Sequence, residues 1–118
     1  MLDRLSFSPE KRIREKTEFQ KVFKERKRLY TSLYILYYRQ NHLPSPRLGV
    51  ITSRRNIRFA VHRNTVRRVA RETFRRHQIA MIGKDIVIVA QKKAGQASKR
   101  ELQLCLEKLF TKLQNISS

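Results

Sequence analysis

Residues 47–91, RLGVITSRRNIRFAVHRNTVRRVARETFRRHQIAMIGKDIVIVAQ, decide the fold. Two short apolar runs, 47–53 and 84–91, read as strands. Between them Val66, Val69, Ala70, Thr73 and Phe74 recur at helical spacing, which predicts a helix over about 60–77. A helix of that length can cross over and join parallel strands. Gly83 breaks the chain before the second run. There Ile86-Val87-Ile88-Val89 is continuously apolar, as expected of a central strand covered on both faces.

Upstream, 41–46 carries Pro44 and Pro46 and reads as a loop. Residues 30–40 are rich in aromatic and branched side chains and read as a strand. On it Leu33, Ile35 and Tyr37 share one face, and Tyr34, Leu36 and Tyr38 the other. So short a loop predicts that 30–40 and 47–53 are antiparallel neighbours. Phe19, Val22 and Phe23 mark a short helix over 17–26, with Thr17 and Gln20 as a capping box and Glu18 at its positive end. Residues 1–16 are basic and irregular, with Phe7 and Pro9 as anchors. Downstream a basic loop, 92–97, leads to Ser98 and Glu101, a second capping box. Leu102, Cys105, Leu106, Leu109, Phe110 and Leu113 then trace a helix over 99–114, beyond which 115–118 fray. The order helix–strand–strand–helix–strand–helix predicts an α+β fold, a mixed α/β sandwich with helices on a small sheet. At 118 residues it is a single domain, 1–118.

Charge narrows the function. Twenty-eight Lys and Arg stand against nine Asp and Glu, a net +19. Self-repulsion of that size calls for a polyanionic partner. The charge is spread over several elements rather than gathered in one amphipathic tail, which favours nucleic acid over a membrane surface. One cysteine, Cys105, excludes an internal disulfide, fits a reducing compartment and reads as an inert thiol on an apolar helix face. No run approaches a membrane span and the N-terminus lacks a secretion signal, so a cytoplasmic protein is expected.

The helix at 60–77 concentrates the signal. Arg63, Arg67, Arg71 and Arg75 fall four residues apart on one slowly drifting stripe, with Asn64 and Arg68 beside it and only Glu72 to oppose them. Like charges at this spacing each cost a few tenths of a kcal/mol or so. Phosphates would recover that cost, and the guanidinium fork grips them bidentately. A merely solvated face normally mixes both signs, which this one hardly does. The stripe alone does not separate RNA from DNA.

Enzymatic chemistry within the chain finds no support. His42, His62 and His77 lack ligand spacing. Glu18, Glu72 and Asp85 do not make a metal or acid–base site, and Gly49, Gly83 and Gly95 are isolated rather than a phosphate loop. No catalytic or metal-binding residue is expected in the protein.

The order of residues is more specific. Arg63-Asn64, Val66-Arg67-Arg68, Arg71-Glu72 and Phe74-Arg75 resemble the arginine-rich helix of the bacterial ribonuclease P protein. Pro46-Arg47-Leu48-Gly49-Val50 with Ser53-Arg54-Arg55 resembles that family's second strand and basic turn, Phe19-x-x-x-Phe23 its first helix, and Asp85 to Ala90 its next strand. The likeness spans about residues 5–112 in order and spacing. It departs at Thr65, where the family usually carries a third basic residue.

The resemblance implies that an RNA subunit carries catalysis, with Mg²⁺ held mainly by RNA, and that the protein alone is inactive. It implies contacts to that RNA by Arg54, Arg55, Arg63, Asn64, Arg67, Arg68, Arg71 and Arg75. It further implies a cleft for the single-stranded 5′ leader of precursor tRNA, lined by Phe19, Phe23, Ile35 and Tyr37, and a left-handed crossover around the arginine helix. Single strands do bind by stacking bases on aromatic faces beside a positive groove. Phe19 and Phe23 serve equally well as core, whereas Tyr37 carries a hydroxyl suited to a surface. Two rival readings remain: a structural RNA-binding protein of ribosomal type without a leader cleft, and a duplex-DNA-binding protein reading guanines from the helix.

Overall fold

The computed structural model describes residues 12–117; Phe7 and Pro9, expected as anchors, lie outside them. Among the described residues three α-helices and four strands follow one another, with short 3-10 turns at Gln78–Met81 and Lys92–Gln96: α1 Lys16–Lys24, β1 Arg28–Tyr30, β2 Tyr34–Gln40, β3 Arg47–Ile51, α2 Ala60–His77, β4 Lys84–Ala90 and α3 Lys99–Ser117. The sheet runs β1-β2-β4-β3. The sandwich of helices on a small sheet stands, with one strand more than expected.

The extra strand comes from Thr31. Its Oγ accepts the Tyr34 N–H at 3.0 Å, and its N–H donates to the Tyr34 carbonyl at 2.8 Å. That local turn splits the expected strand at 30–40 and folds Arg28–Tyr30 back as an antiparallel partner of β2. Cys105 donates its thiol to the same Oγ at 3.1 Å, pinning α3 to the turn.

The second correction concerns pairing. β2 and β3 are not neighbours, because β4 lies between them, antiparallel to β2 and parallel to β3. The reason is apolarity: Ile86, Val87 and Ile88 are fully buried, so this strand is best placed where ladders cover both edges and helices cover both faces. α2 is therefore the crossover between the parallel pair β3 and β4.

Two boundaries also move. α1 begins at Lys16 after Glu15, whose carbonyl accepts the N–H groups of Glu18 and Phe19; no side chain caps it, so the Thr17–Gln20 capping box does not form. The stretch before it is not wholly irregular, since Arg12 bridges to Leu48 along the β3 edge and Ile13 is buried. α3 continues to Ser117 rather than fraying after residue 114. Its Ser98–Glu101 capping box forms as expected, with reciprocal bonds of 2.9 and 3.1 Å.

Strand alternation gives the sheet two unlike faces. Tyr34, Leu36, Leu48, Ile86 and Ile88 point to a face sealed by α2 and α3 through Val66, Phe74, Leu106 and Phe110. Each fully buried side chain of this size contributes roughly 1.5–3 kcal/mol. The other face carries Tyr37, Gly49, Ile51, Val87 and Val89, and among the described residues α1 and Ile13 lie over it. Among the described residues no helix is long and apolar enough to cross a membrane.

Candidate nucleic-acid interface

The four-residue arginine stripe survives folding as a surface feature. Val66, Ala70, Thr73 and Phe74 are turned inward, as the spacing predicts, with Val69 half-buried. Arg63, Arg67, Arg71 and Arg75 are half-buried along one flank, and Asn64 and Arg68 stand exposed beside them. Asn64, Arg67, Arg68, Arg71 and Glu72 frame an open depression of about 470 Å³. Among the described residues, no α2 arginine has a carboxylate within ion-pair distance, not even Glu72.

The stripe is not uniform. Arg63 donates through Nη1 to the carbonyls of Ile57 and Arg58 at 2.9 and 2.8 Å, so it also fastens the loop entering the helix. Arg67 reaches Asn64 Oδ1 at 3.3 Å. Burial, then the charges of Arg12 and Arg67, push Arg71 below the usual guanidinium range. Arg12, bridged to Leu48 beside β3, thus adds to the positive field at Arg71, which sequence reasoning passed over. Thr65 turns its hydroxyl back to the Val61 carbonyl at 3.0 Å and adds no cation. Arg54 and Arg55 are exposed in the turn after β3, where Ser53 accepts the Ile57 N–H at 2.9 Å.

The half-covered sheet face holds the aromatic residues. Phe23 and Tyr37 meet edge to face, 4.7 Å between ring centroids. The Phe19 ring packs closely on β3 because residue 49 is glycine: a Cβ there would come to 2.5 Å from the ring. Both phenylalanines are half-buried and pack against the cluster of Ile13, Val22 and Val87. Ile35 stands one row beyond Tyr37, opposite Val89 in β4 and Tyr30 in β1. α1 covers the row of Tyr37, Val87 and Gly49 but leaves that of Tyr30, Ile35, Val89 and Ile51 partly open. Tyr30, Val89 and Ile51 were missed by sequence reasoning. Strand alternation could have placed Val89 and Ile51, but only the register aligns all four.

At the other end of the same face lies a closed charge network. Asp85 is fully buried and accepts from Arg47 at 2.9 and 2.8 Å, Asn41 at 2.9 Å and Arg39 at 3.3 Å. Burial alone would raise its carboxyl, but the Arg47 and Asn41 hydrogen bonds, the Arg47 charge and the Arg39 hydrogen bond hold it below the usual carboxylate range. Arg47 also pairs with Glu18, tying α1 to the sheet, and its own acidity is weakened chiefly by the Asp85 bond. These carboxylates are consumed by arginines, and no group of three or more metal-ligating side chains occurs among the described residues. The described residues therefore do not fit a protein-held Mg²⁺ site.

Comparison with known proteins matches this arrangement to one family. A family model described as Ribonuclease P covers residues 7–114. The chain is 45% identical over 111 residues to the ribonuclease P protein component of Coxiella burnetii (strain Dugway 5J108-111), spanning 94% of this chain and 92% of that one. It is 38% identical over 108 residues to that of Pseudoalteromonas atlantica, spanning 92% and 90%. The RNase P protein of Staphylococcus aureus superposes with a TM-score of 0.80 at 27% identity, over 86% of this chain and 93% of that one. That of Thermotoga maritima gives 0.75 at 29%, over 86% and 96%. Since the match takes in both the arginine helix and the half-covered sheet face, the chain belongs to the ribonuclease P protein family, the protein component of an RNA–protein endoribonuclease of tRNA processing.

Proposed function

We propose that this chain is the non-catalytic subunit of ribonuclease P, docking on the catalytic RNA through α2 and holding the 5′ leader of precursor tRNA against the half-covered sheet face. The observation that carries the reading is the contrast in arginine pairing: Arg39 and Arg47 have carboxylate partners, while those of α2 have none among the described residues. Arg67, Arg68 and Arg71, with Asn64, grip backbone phosphates, and Arg54, Arg55 and Arg75 extend that contact. Arg63 divides its donors between its own loop and the RNA.

The leader lies over Tyr37 and Ile35 with Phe19 and Phe23 as its wall, and the open row of Tyr30, Val89 and Ile51 lengthens the floor. Mg²⁺ is held by RNA and substrate; the protein adds positive field and position, and by itself cleaves nothing. The complex acts in the cytoplasm, and residues 1–118 work as one domain.

Reconstitution tests this. The protein is added to a bacterial catalytic RNA and a precursor tRNA at low Mg²⁺. Cleavage at the mature 5′ end should rise only with all components present. No gain over RNA alone would overturn the reading. A gain indifferent both to leader length and to Tyr37→Ala would reduce it to general RNA binding.

A further inference from the structure

We infer that Phe59, at the entrance to α2, is a stacking platform for one unpaired nucleobase of the partner RNA, which deepens the RNA-docking reading and rests on it. Phe59 is the residue before the first turn of α2, and no side chain caps that turn. Ser, Thr, Asp or Asn is preferred there because an oxygen can accept the free N–H groups, so phenylalanine is a poor choice for the helix. It is poor for the core as well, being 57% exposed, next to Val61 at 66%. A large ring that serves neither helix nor core at this position suits a contact outside the chain.

Its surroundings fit a nucleotide. The Arg58 guanidinium lies over the ring, 5.4 Å from the centroid, and His62 meets it edge-on at 5.9 Å. These residues, with Lys92 and Gln96 of the turn after β4, line a hollow of about 240 Å³ that contains no carboxylate. That is smaller than pockets enclosing whole small-molecule ligands and suits one flat ring with its sugar and phosphate outside. Arg58 and Lys92 stand where that phosphate would lie, and the Gln96 amide can meet a base edge. The stripe on α2 contacts phosphates, which position an RNA without reading it; Phe59 adds a contact to a base.

Stacking and phosphate contacts differ in salt dependence, because only the latter releases counterions. Binding of the full chain to a bacterial catalytic RNA is therefore titrated across monovalent salt for the native sequence, Phe59→Ser, Phe59→Tyr and Arg67→Ala/Arg68→Ala. Phe59→Ser supplies a better cap, so the helix should melt no lower while affinity falls about fivefold to a hundredfold, the loss of one stacked base, at an unchanged salt slope. Phe59→Tyr should bind as the native chain does. Native affinity in Phe59→Ser, a shallower slope in it, or an equal loss in Phe59→Tyr would each overturn the platform. An unchanged slope in Arg67→Ala/Arg68→Ala would count against the rail and leave the platform standing. Failure of the native chain to bind would remove both.

Discussion

Arg39 and Arg47 on the sheet and the arginines of α2 are the same side chain in opposite circumstances. The first two converge on Asp85, a fully buried carboxylate, and Arg47 also reaches Glu18. The others crowd one another, Arg71 lying in the field of both Arg12 and Arg67. One set closes the fold; the other leaves it with unrelieved charge. The difference teaches that net charge alone does not locate an interface. The proposed docking surface rests instead on which cations the fold leaves without carboxylates among the described residues.

Breaking the closed set should have the largest effect. Asp85→Ala strands Arg47 and Arg39 beside an uncompensated site and should destabilise by about 3–5 kcal/mol, read by denaturant titration. The same network sets an acid limit. The Asp85 carboxyl is held below its usual range, so its stabilisation is present above the unfolded pKa, near 3.9, and is lost as pH falls through the folded value. The unfolding midpoint should hold from pH 7 to 5 and drop below about 4, and Asp85→Asn should flatten that drop.

Next comes Gly49→Ala, which drives a methyl into the Phe19 ring and should cost about 1–3 kcal/mol by the same titration. Leader affinity should fall with it as the ring is displaced into the cleft. The open set should behave otherwise. Arg67→Ala/Arg68→Ala should leave stability within about 0.5 kcal/mol, while the slope of log affinity against log salt shallows by roughly 1.5 to 2 for two lost phosphate contacts. The smallest effect has the opposite sign. Arg71→Gln relieves a like-charge contact and should stabilise the free protein by about 0.2–0.5 kcal/mol while weakening RNA binding. A loss of stability there would mean that the α2 stripe is structural too, and the contrast between the two sets would collapse.

The sequence made α2 legible at both ends and on its buried face, because Val66, Ala70, Thr73 and Phe74 repeat with the helix and Gly83 ends the stretch after it. It also made legible the mixed sandwich, through the order of the elements, and the Ser98–Glu101 cap and the arginine stripe, which depend on spacing within one element. Thr31 was harder, since nothing in a run of aromatic and branched residues says that a hydroxyl will accept two N–H groups and fold the strand back. Of the candidate cleft, Ile35 with Tyr37 on a strand face and Phe19 with Phe23 on a helix face were legible, but the contact of Phe23 with Tyr37 was not.

What the sequence determined by itself is therefore local and periodic: every element but β1, their apolar faces and the sign of the charge. The tertiary structure alone decided that β4 inserts between β2 and β3, that Gly49 seats Phe19, that Arg47 closes on Asp85, and that Arg12 adds its field to that at Arg71. The physical reason is that spacing fixes which side chains share a face, whereas pairing across long stretches of chain depends on which strand gains most by being covered on every side.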